Sequence, residues 1–240
     1  LQRLAAHHRA SFRMPVLGIT GSNGKTIIKE WLYQLLSVDF SICKNPGSYN
    51  SQIGVPLSVW QLQDYHDLAI FEAGISQPGE MDALARIIQP TVGLFTNIGP
   101  AHDEGFKSRQ EKIREKMKLF QSAQTLIFCR DHTAIYEEAE RSYRGRMFTW
   151  GAHPDSDVHL RHWGADGAEI LFDGEEVSLA FPFTDRALQE NALHAVAVML
   201  WLKVKPAVIQ SRLRQLRAVP MRLEMKQGIN QCQLIDDTYN

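Results

Sequence analysis

The chain has 240 residues, of which 44% are hydrophobic and 22% charged, a composition typical of a globular domain that can bury its own core. A formal net charge of −1 gives no reason to expect a nucleic acid or an anionic membrane as a partner. Because no apolar run approaches the roughly 20 residues of a membrane helix and no secretory signal opens the chain, we expect no membrane span.

Up to about residue 141, short apolar runs alternate with amphipathic segments. Residues 1–12 have the pattern of the end of a helix. Strands are predicted at 15–20, 68–71, 92–96 and 125–129, and helices at 26–36, 79–88, 108–121 and 134–141. Because the strands are nearly continuous in apolar residues and alternate with helices, we expect a doubly wound, mostly parallel α/β sheet covered on both faces.

From Val158 onward the pattern changes. The segments 158–163, 168–172 and 177–181 are typical of antiparallel strands, joined by turns at 165–167 and 173–174. Helices are predicted at 187–202 and 206–216, and a last strand at 232–235. These segments predict a small antiparallel β add-on to the α/β sheet.

The three cysteines, Cys43, Cys129 and Cys232, are far apart and lack the spacing of metal ligands. Cys43 and Cys129 lie in apolar runs typical of strands. We therefore expect a reduced, buried and structural role for them, and hence a cytoplasmic protein.

Residues 20–26, which read TGSNGKT, join the first strand to the first long helix, where a phosphate-binding loop (P-loop) belongs. Glycines let backbone N–H groups converge on phosphate oxygens, and the helix N-terminus adds the positive end of its dipole. Lys25 would reach the β- and γ-phosphates, and the hydroxyl of Thr26 would bind Mg²⁺. The alternative is a glycine-rich turn with a coincidental Gly-Lys-Thr. Nucleotide contacts are thus predicted for Thr20, Gly21, Ser22, Asn23, Gly24, Lys25 and Thr26.

The loop departs from the usual P-loop pattern at Ile19, where glycine normally stands. In this form, the segment 18–26 (GITGSNGKT) resembles the variant loop of the Mur ligase and folylpolyglutamate synthase superfamily. These enzymes activate a carboxylate as an acyl phosphate, which an amine then attacks. The resemblance implies an ATP-binding protein and continues over nearly the whole chain.

Several ordered segments carry this resemblance further. Residues 72–74 (EAG) and 78–81 (PGEM) resemble the Mur ligases that add D-alanyl-D-alanine, and residues 45–56 (NPGSYNSQIGVP) are similar to their muramyl-substrate loop. Residues 96–102 (TNIGPAH) match the family's loop with an essential histidine. Residues 220–224 (PMRLE) and 236–240 (DDTYN) match the segments that lead into its C-terminal domain.

The domain organisation implied by the resemblance makes residues 1–240 the central, ATP-binding domain of such a ligase. Residues 1–14 would end a linker from an N-terminal domain, and residues 236–240 would begin a linker to a C-terminal domain. The end of the chain also resembles the group in which this ligase precedes an alanine racemase, although no residue here tests for a racemase.

Two further metal contacts are expected after strand ends. Glu72 stands at the C-terminal end of a parallel strand, where α/β sheets place ligand contacts, and a carboxylate there suits Mg²⁺. The alternative is a plain surface glutamate. The resemblance implies that His102, in the loop after the strand at 92–96, is catalytic and helps to bind a second Mg²⁺.

The helix at 108–121 contains Lys112, Arg114, Lys116 and Lys118, and by itself it is typical of a solvated charged face. In the family, a helix lysine three residues before a hydrophobic pair reacts with CO₂, and the segment 116–120 (KMKLF) fits that position. The resemblance therefore implies that Lys116, rather than Lys112 or Lys118, is carbamylated. Its new carboxylate would hold Mg²⁺ where an ammonium group would repel it.

The remaining site residues are also implied by the resemblance. Asn191 matches the family's adenine-contacting asparagine, although it could instead cap a helix; the family usually repeats asparagine three residues later, where this chain has His194. Arg222 would contact the γ-phosphate, and Asp237, rather than Asp236, the ribose. Contacts with the muramyl substrate are predicted for Asn50, Ser51 and Asn97.

The function that follows is ATP-dependent and Mg²⁺-dependent addition of D-alanyl-D-alanine to a UDP-N-acetylmuramoyl tripeptide, in peptidoglycan precursor synthesis. The flanking domains of the same chain would be its partners. Alternatives within the class are the ligase that adds the third residue and a folylpolyglutamate synthase. An alternative from another class is a P-loop switch or regulatory nucleotide-binding module without ligase activity.

Overall fold

The computed structural model describes residues 1–99, 103–217, 219, 224–227, 229 and 232–236. Its strands are β1 (Val16–Thr20), β2 (Ile42–Lys44), β3 (Leu68–Glu72), β4 (Val92–Phe95), β5 (Thr125–Cys129), β6 (Arg146–Gly151), β7 (Val158–Trp163), β8 (Gly167–Phe172), β9 (Glu175–Ala180), β10 (Glu224–Gln227) and β11 (Gln233–Asp236). Its α-helices are α1 (Gln2–Ala10), α2 (Lys25–Leu36), α3 (Gly54–Val59), α4 (Glu80–Ile88), α5 (Arg109–Met117), α6 (Thr133–Ser142), α7 (Arg186–Trp201) and α8 (Pro206–Leu213). Short 3₁₀ segments lie at Asp103–Gly105 and Lys118–Phe120.

Nine of the described strands form one sheet in the order β2-β3-β1-β4-β5-β6-β7-β8-β9. Neighbouring strands are parallel from β2 to β7. Because β1 has β3 on one side and β4 on the other, the strand order changes direction beside β1. In open α/β sheets, ligands bind outside the carboxyl ends of the strands at such a point.

Two hydrophobic cores lie on opposite faces of this sheet. One contains the apolar side chains of α2, α7 and α8, among them Ile28, Leu32 and Met199. The other contains those of α1 and α3 to α6, among them Met81 and Ile113. The strands β1, β3, β4 and β5 are buried along their whole length, as expected for strands covered on both faces. The predicted doubly wound fold is confirmed.

The antiparallel strands β7, β8 and β9 extend the same sheet. β7 joins β6 in parallel through the pairs Trp150↔Val158 and Gly151↔His159, and β8 and β9 follow in antiparallel pairing. Their inward side chains, including Ile170 and Val177, belong to the same core as α7. The predicted antiparallel add-on is therefore present as one end of the large sheet, because β6 supplies a free edge on which β7 pairs.

Some elements have weak signals in the sequence. The strand β6 reads RMFTWG, whose polar and apolar residues are mixed, and the short helix α3 contains Gly54 and Pro56, which normally indicate a loop. Neither β6 nor α3 is among the elements predicted from the sequence, and β10 is not either. The helices and strands that are predicted agree with the described elements to within a few residues at their ends. Within the described ranges, no helix is long and apolar enough to cross a membrane.

Cys43 and Cys129 are buried and free, as expected. Burial raises the pKa of the Cys43 thiol to about 11 and that of Cys129 to about 12, so both stay protonated at neutral pH. Cys232 is free and exposed.

Candidate active site

The predicted P-loop lies at the carboxyl end of β1, and its backbone conformation requires glycine at two positions. Gly21 has φ +146° and Gly24, at the N-cap of α2, has φ +80°. A Cβ atom at Gly21 would collide with Thr96 Oγ1, and one at Gly24 would collide with the side-chain amide of Asn191. The two glycines thus let the loop pass close to the end of β4 and to the second turn of α7.

Contacts with the end of β4 hold the loop in place. Ser22 N–H donates to Asn97 O at 2.8 Å, and Asn23 N–H donates to Asn97 Oδ1 at 3.0 Å. The hydroxyl of Thr96 donates to Asn23 O at 2.7 Å. Asn97, predicted to contact the muramyl substrate, therefore braces the P-loop with its side-chain oxygen.

The cation and the hydroxyl expected of a P-loop are both in place. Lys25 Nζ donates to Gly21 O at 2.9 Å and to Ser22 O at 3.0 Å, so the ammonium group lies against the loop. Thr26 is buried, and its hydroxyl donates to Glu72 Oε1 at 3.2 Å. The side chain of Thr20 is also buried and donates to Ala73 O at 2.9 Å.

Glu72 ends β3 with a fully buried carboxylate beside Thr26. Its Oε1 atom accepts hydrogen bonds from Thr26 and from Asn50 Nδ2, the latter at 3.1 Å. Among the described residues, its buried Oε2 atom has no hydrogen-bond donor. Lys29 Nζ lies 3.9 Å from this oxygen, which is too far for a hydrogen bond. Burying a carboxylate oxygen without a donor is costly, so the atom suits a closer cation such as a metal ion. The alternative of a plain surface glutamate is wrong.

Magnesium fits this donor set. Mg²⁺ takes one or two protein oxygens and fills its other positions with phosphate oxygens and water. Within the described ranges, no three His, Cys, Asp or Glu side chains cluster in a way that could hold a metal ion. A site made of Glu72, Thr26 and a P-loop phosphate needs no such cluster.

The three lysines of α5 and the turn after it differ in their surroundings. Lys116 is 2% exposed, and its Nζ atom donates to Gly21 O at 3.0 Å. Lys112 is also buried and donates to Gly99 O at 2.7 Å. Lys118 instead forms ion pairs with Asp82 and Glu115 away from the loop. The alternative that Lys118 is the lysine that reacts with CO₂ therefore loses support.

Burial holds the pKa of Lys116 well below its ordinary value, and the nearby charges of Lys25 and Lys112 lower it further. The hydrogen bond to Glu115 raises the pKa of Lys118. Lys116 is thus the lysine that most readily loses its proton while lying next to the P-loop.

Asn191 lies more than one turn inside α7, whose N-cap is Asp185. The carboxylate of Asp185 accepts from Leu188 N–H at 2.9 Å. The alternative that Asn191 caps the helix is therefore wrong. Its side-chain amide is buried against Gly24 of the P-loop, which is compatible with the predicted nucleotide contact.

His194 is fully buried and serves the core rather than the site. Trp150 Nε1 donates to His194 Nδ1 at 3.0 Å, so the Nε2 atom of the neutral ring carries the proton. Burial lowers the pKa of His194 to about 3, and the nearby His132 contributes to this shift. The residue that replaces the family's second asparagine thus ties α7 to β6.

The predicted muramyl-substrate loop lies beside Glu72. Asn50 reaches Glu72 with its side chain, and its carbonyl accepts from Gly74 N–H at 2.9 Å. Ser51 is exposed, and its hydroxyl lies 3.3 Å from Gly54 N at the start of α3. Ser48 contacts the Thr26 hydroxyl at 3.0 Å, so the loop touches the P-loop directly.

A polar cavity of about 390 Å³ opens between the P-loop and the ends of β4 and β5. It is lined by Asn23 and Asn97 together with Asp131, His132 and Glu190, which sequence analysis did not select. Their only signal is position, since Asp131 and His132 follow β5 directly and Glu190 precedes Asn191. The predicted site residues His102, Arg222 and Asp237 lie outside the described residues.

A P-loop at the carboxyl end of a parallel strand, with a buried carboxylate at the end of the neighbouring strand, is the arrangement typical of nucleotide-binding α/β domains. The family described as Mur ligase middle domain matches residues 19–199, and the chain belongs to this family. The membership of the Mur ligase family that the sequence motifs predicted is confirmed.

Individual relatives agree with this assignment. The UDP-N-acetylmuramoyl-tripeptide--D-alanyl-D-alanine ligase of Synechocystis sp. is 34% identical over 100% of this chain and 52% of its own length. The crystal structure of MurF from Acinetobacter baumannii has a TM-score of 0.88 at 28% identity, covering 100% of this chain and 54% of that one. The MurF ligase of Thermotoga maritima in complex with ADP has a TM-score of 0.83 at 27% identity, covering 100% of this chain and 56% of that one. The chain spans about half the length of the curated relatives it matches.

Proposed function

We propose that the chain is the ATP-binding central domain of a ligase that adds D-alanyl-D-alanine to a UDP-N-acetylmuramoyl tripeptide. Residues 1–14 and 236–240 would then belong to linkers that join it to an N-terminal and a C-terminal domain. Relatives that match the full length of the chain carry this activity in their names, and they support the proposal. ATP as the nucleotide agrees with the ADP complex of the Thermotoga maritima relative. A protein with these substrates would work in the cytoplasm.

One observation supports the proposal most directly: the P-loop, Glu72 and the loop 45–51 form a single hydrogen-bond network. Thr26 contacts both Glu72 and Ser48, and Asn50 contacts Glu72. A nucleotide phosphate on the P-loop and a substrate carboxylate held by the loop would meet beside one carboxylate. A P-loop switch needs no such second loop.

The proposed reaction has two steps. A carboxylate oxygen of the muramyl peptide attacks the γ-phosphorus of ATP, and ADP leaves to give an acyl phosphate. The amine of D-alanyl-D-alanine then attacks the acyl carbon, phosphate leaves with the bonding electrons, and the nitrogen loses a proton. Neither step needs a protein nucleophile, because each bond forms between substrates.

The chain's own residues would supply position and charge. Lys25 would turn from the loop carbonyls to the β- and γ-phosphates, where its positive charge offsets the charge that spreads over the transferred group. Thr26 and Glu72 would hold Mg²⁺, which when bound draws electrons from the phosphate oxygens. Asn191 beside Gly24 would contact the adenine, Arg222 the γ-phosphate and Asp237 the ribose.

Lys116 is proposed to act as a carbamate. Its lowered pKa favours the neutral amine, whose nitrogen would bond to the carbon of CO₂ while one proton leaves to solvent. The resulting anion, together with His102, would hold a second Mg²⁺. A charged ammonium at the same point would repel the metal.

A coupled phosphate-release assay on the full-length protein tests the proposed function. We expect turnover with ATP, UDP-N-acetylmuramoyl tripeptide and D-alanyl-D-alanine together, and its loss in Lys25→Ala. Phosphate release that instead requires a muramyl dipeptide and a single amino acid would indicate the ligase of the third residue. Release with a folate and glutamate would indicate a folylpolyglutamate synthase, and failure to bind any muramyl peptide would favour the P-loop switch.

A further inference from the structure

Lys29 carries a fully buried ammonium group one turn after the P-loop, and none of the proposed roles uses it. Its Nζ atom donates to Asn45 O at 2.9 Å and also to Gly47 O. A buried ammonium is costly unless its hydrogen bonds and charge are satisfied. Both acceptors lie in the loop 45–51, so the charge of Lys29 is placed to hold this loop.

Asn45 extends the same attachment to the end of β3. Its Oδ1 atom accepts from Glu72 N–H at 2.7 Å, and its Nδ2 atom donates to Tyr49 O at 2.7 Å. The residue is fully buried. Lys29 therefore contacts the start of the loop at Asn45, which is itself hydrogen-bonded to the end of β3.

The charge of Lys29 also faces the candidate metal carboxylate. Its Nζ atom lies 3.9 Å from Glu72 Oε2 and 3.3 Å from Glu30 Oε1. Glu72 in turn accepts from Asn50 at the other end of the loop. Lys29 thus contacts the loop at its beginning and faces the carboxylate that holds its end.

We propose that Lys29 is a positioning residue of the ligase, which holds the loop 45–51 against β3 in the orientation that binds the muramyl substrate. The inference rests on the proposed function and deepens it, since it assigns the loop's order to one cation. Without that cation, the buried carbonyl of Asn45 and the carbonyl of the exposed Gly47 both lose their donor, and the loop loosens. The P-loop keeps its own contacts with Asn97, which lie on the other side of β1.

The test compares Lys29→Met with Lys44→Met in the full-length protein. Methionine keeps the length and most of the volume of the lysine stem but has no donor. Lys44 is the matched control, because it pairs with the same Glu30 at 2.9 Å but lies on β2 outside the loop. We expect Lys29→Met to raise the Michaelis constant for UDP-N-acetylmuramoyl tripeptide about tenfold or more, while that for ATP stays within about twofold of the wild-type value. Lys44→Met should change neither.

Hydrogen exchange gives a second readout that does not depend on activity. The backbone amides of residues 47–51 should exchange faster in Lys29→Met than in Lys44→Met, while those of residues 21–24 should be unchanged. If Lys29→Met fails to fold, Lys29→Gln retains one donor group and is compared in the same way.

The outcomes separate the two proposals. Unchanged Michaelis constants and unchanged loop exchange in an active protein would overturn the role of Lys29 alone. An equal rise in the Michaelis constants for ATP and for the muramyl substrate would also overturn it, because the substitution would then have destabilised the site as a whole. A wild-type protein that does not turn over the muramyl tripeptide would refute the proposed function, whereas faster loop exchange would still support the contact.

Discussion

At the scale of single residues, Lys116 lies where an ammonium group is least favoured. It is 2% exposed, and burial lowers the pKa of its ammonium group, as do the nearby positive charges of Lys25 and Lys112. Its contact with Gly21 O places the amine at the P-loop. The chemistry that the family resemblance implies for this lysine, reaction with CO₂, requires the same neutral amine.

Carbamylation of Lys116 should therefore depend on pH in a defined direction. Because the folded-state pKa lies well below 10.5, the neutral amine persists to lower pH than in an ordinary lysine, and is lost as the pH falls through the lowered pKa. With isotope-labelled bicarbonate, the carbamate signal in NMR should rise with pH and disappear in Lys116→Ala. A short added carboxylate should partly restore the activity of that variant.

Lys118→Ala is the control for this experiment, since Lys118 lies two residues away and pairs with Asp82 and Glu115. Its carbamate signal should equal that of the wild type. A signal that survives in Lys116→Ala but is lost in Lys118→Ala would show that the wrong lysine has been selected.

His194 should make the fold sensitive to acid. Its pKa falls from 6.5 to about 3 because burial disfavours the charged ring. The unfolded chain binds this proton more readily than the folded chain between these values, so the stabilisation is present above pH 6.5 and lost as the pH falls toward 3. Between pH 7 and pH 5, this one group should lower the free energy of unfolding by about 2 kcal/mol.

Urea unfolding at both pH values measures this effect. His194→Gln keeps an acceptor for Trp150 but cannot take up a proton, so its stability should fall less between pH 7 and pH 5. His7→Gln, at an exposed position on α1, should behave like the wild type. If His194→Gln loses as much stability between pH 7 and pH 5 as the wild type does, His194 is excluded as the cause of that loss.

At the scale of elements, the loops that begin α2 and α4 differ in their surroundings although their backbones agree. Gly24 and Gly79 are both N-cap residues with left-handed conformations, φ +80° and φ +88°. A Cβ atom at Gly24 would collide with Asn191, whereas one at Gly79 would meet nothing within 4 Å. The pair therefore separates backbone strain from crowding at the nucleotide site.

Gly24→Ala should destabilise the fold more than Gly79→Ala, and only Gly24→Ala should weaken binding of an ATP analogue. Both variants place alanine in a left-handed backbone conformation, which costs about 1–2 kcal/mol. The additional loss in Gly24→Ala comes from displacement of Asn191 or of the P-loop. Urea unfolding and calorimetry provide the two measurements.

The double variant Gly24→Ala/Asn191→Ala provides the control. Removing the Asn191 amide makes room for the added methyl group, so part of the lost stability should return. Equal destabilisation by the two single variants, with nucleotide binding intact in both, would refute the close approach of α7 to the P-loop.

At the scale of the whole molecule, the proposed flanking domains would complete and close the site. The chain spans about half the length of its curated relatives. Acyl-phosphate chemistry requires that water be kept from the intermediate, which domain closure normally provides. A P-loop open to water also weakens each electrostatic contact with the γ-phosphate.

The 240-residue chain by itself should therefore fold, bind ATP weakly and show almost no ligase turnover. Its two cores, one on each face of the sheet, are the basis for independent folding. Calorimetry with ATP and Mg²⁺, together with phosphate release in the presence of both substrates, measures the remaining expectations. Turnover close to that of the full-length protein would mean that the catalytic site is complete within these residues.

The sequence by itself determined the alternation of strands and helices, the P-loop and the membership of the family. These are local properties: buried parallel strands need continuous apolar runs, and a phosphate loop needs glycines and a lysine at fixed spacing. The predicted contacts at Lys25, Thr26 and Glu72 could be named from such signals, and that at Asn191 from the family resemblance. The structure brings these residues together at one edge of the sheet.

Only the tertiary structure decided which charges are buried and which residues they face. Sequence spacing cannot tell that Lys118 points away from the P-loop, that His194 is a core residue, or that Lys29 holds the loop 45–51, because each depends on contacts between distant segments. The same holds for β6. Its sequence is only weakly typical of a strand, and its pairing with β5 and β7 on either side makes it one. Burial and charge pairing arise when segments far apart in the chain pack together, and a local pattern does not contain that information.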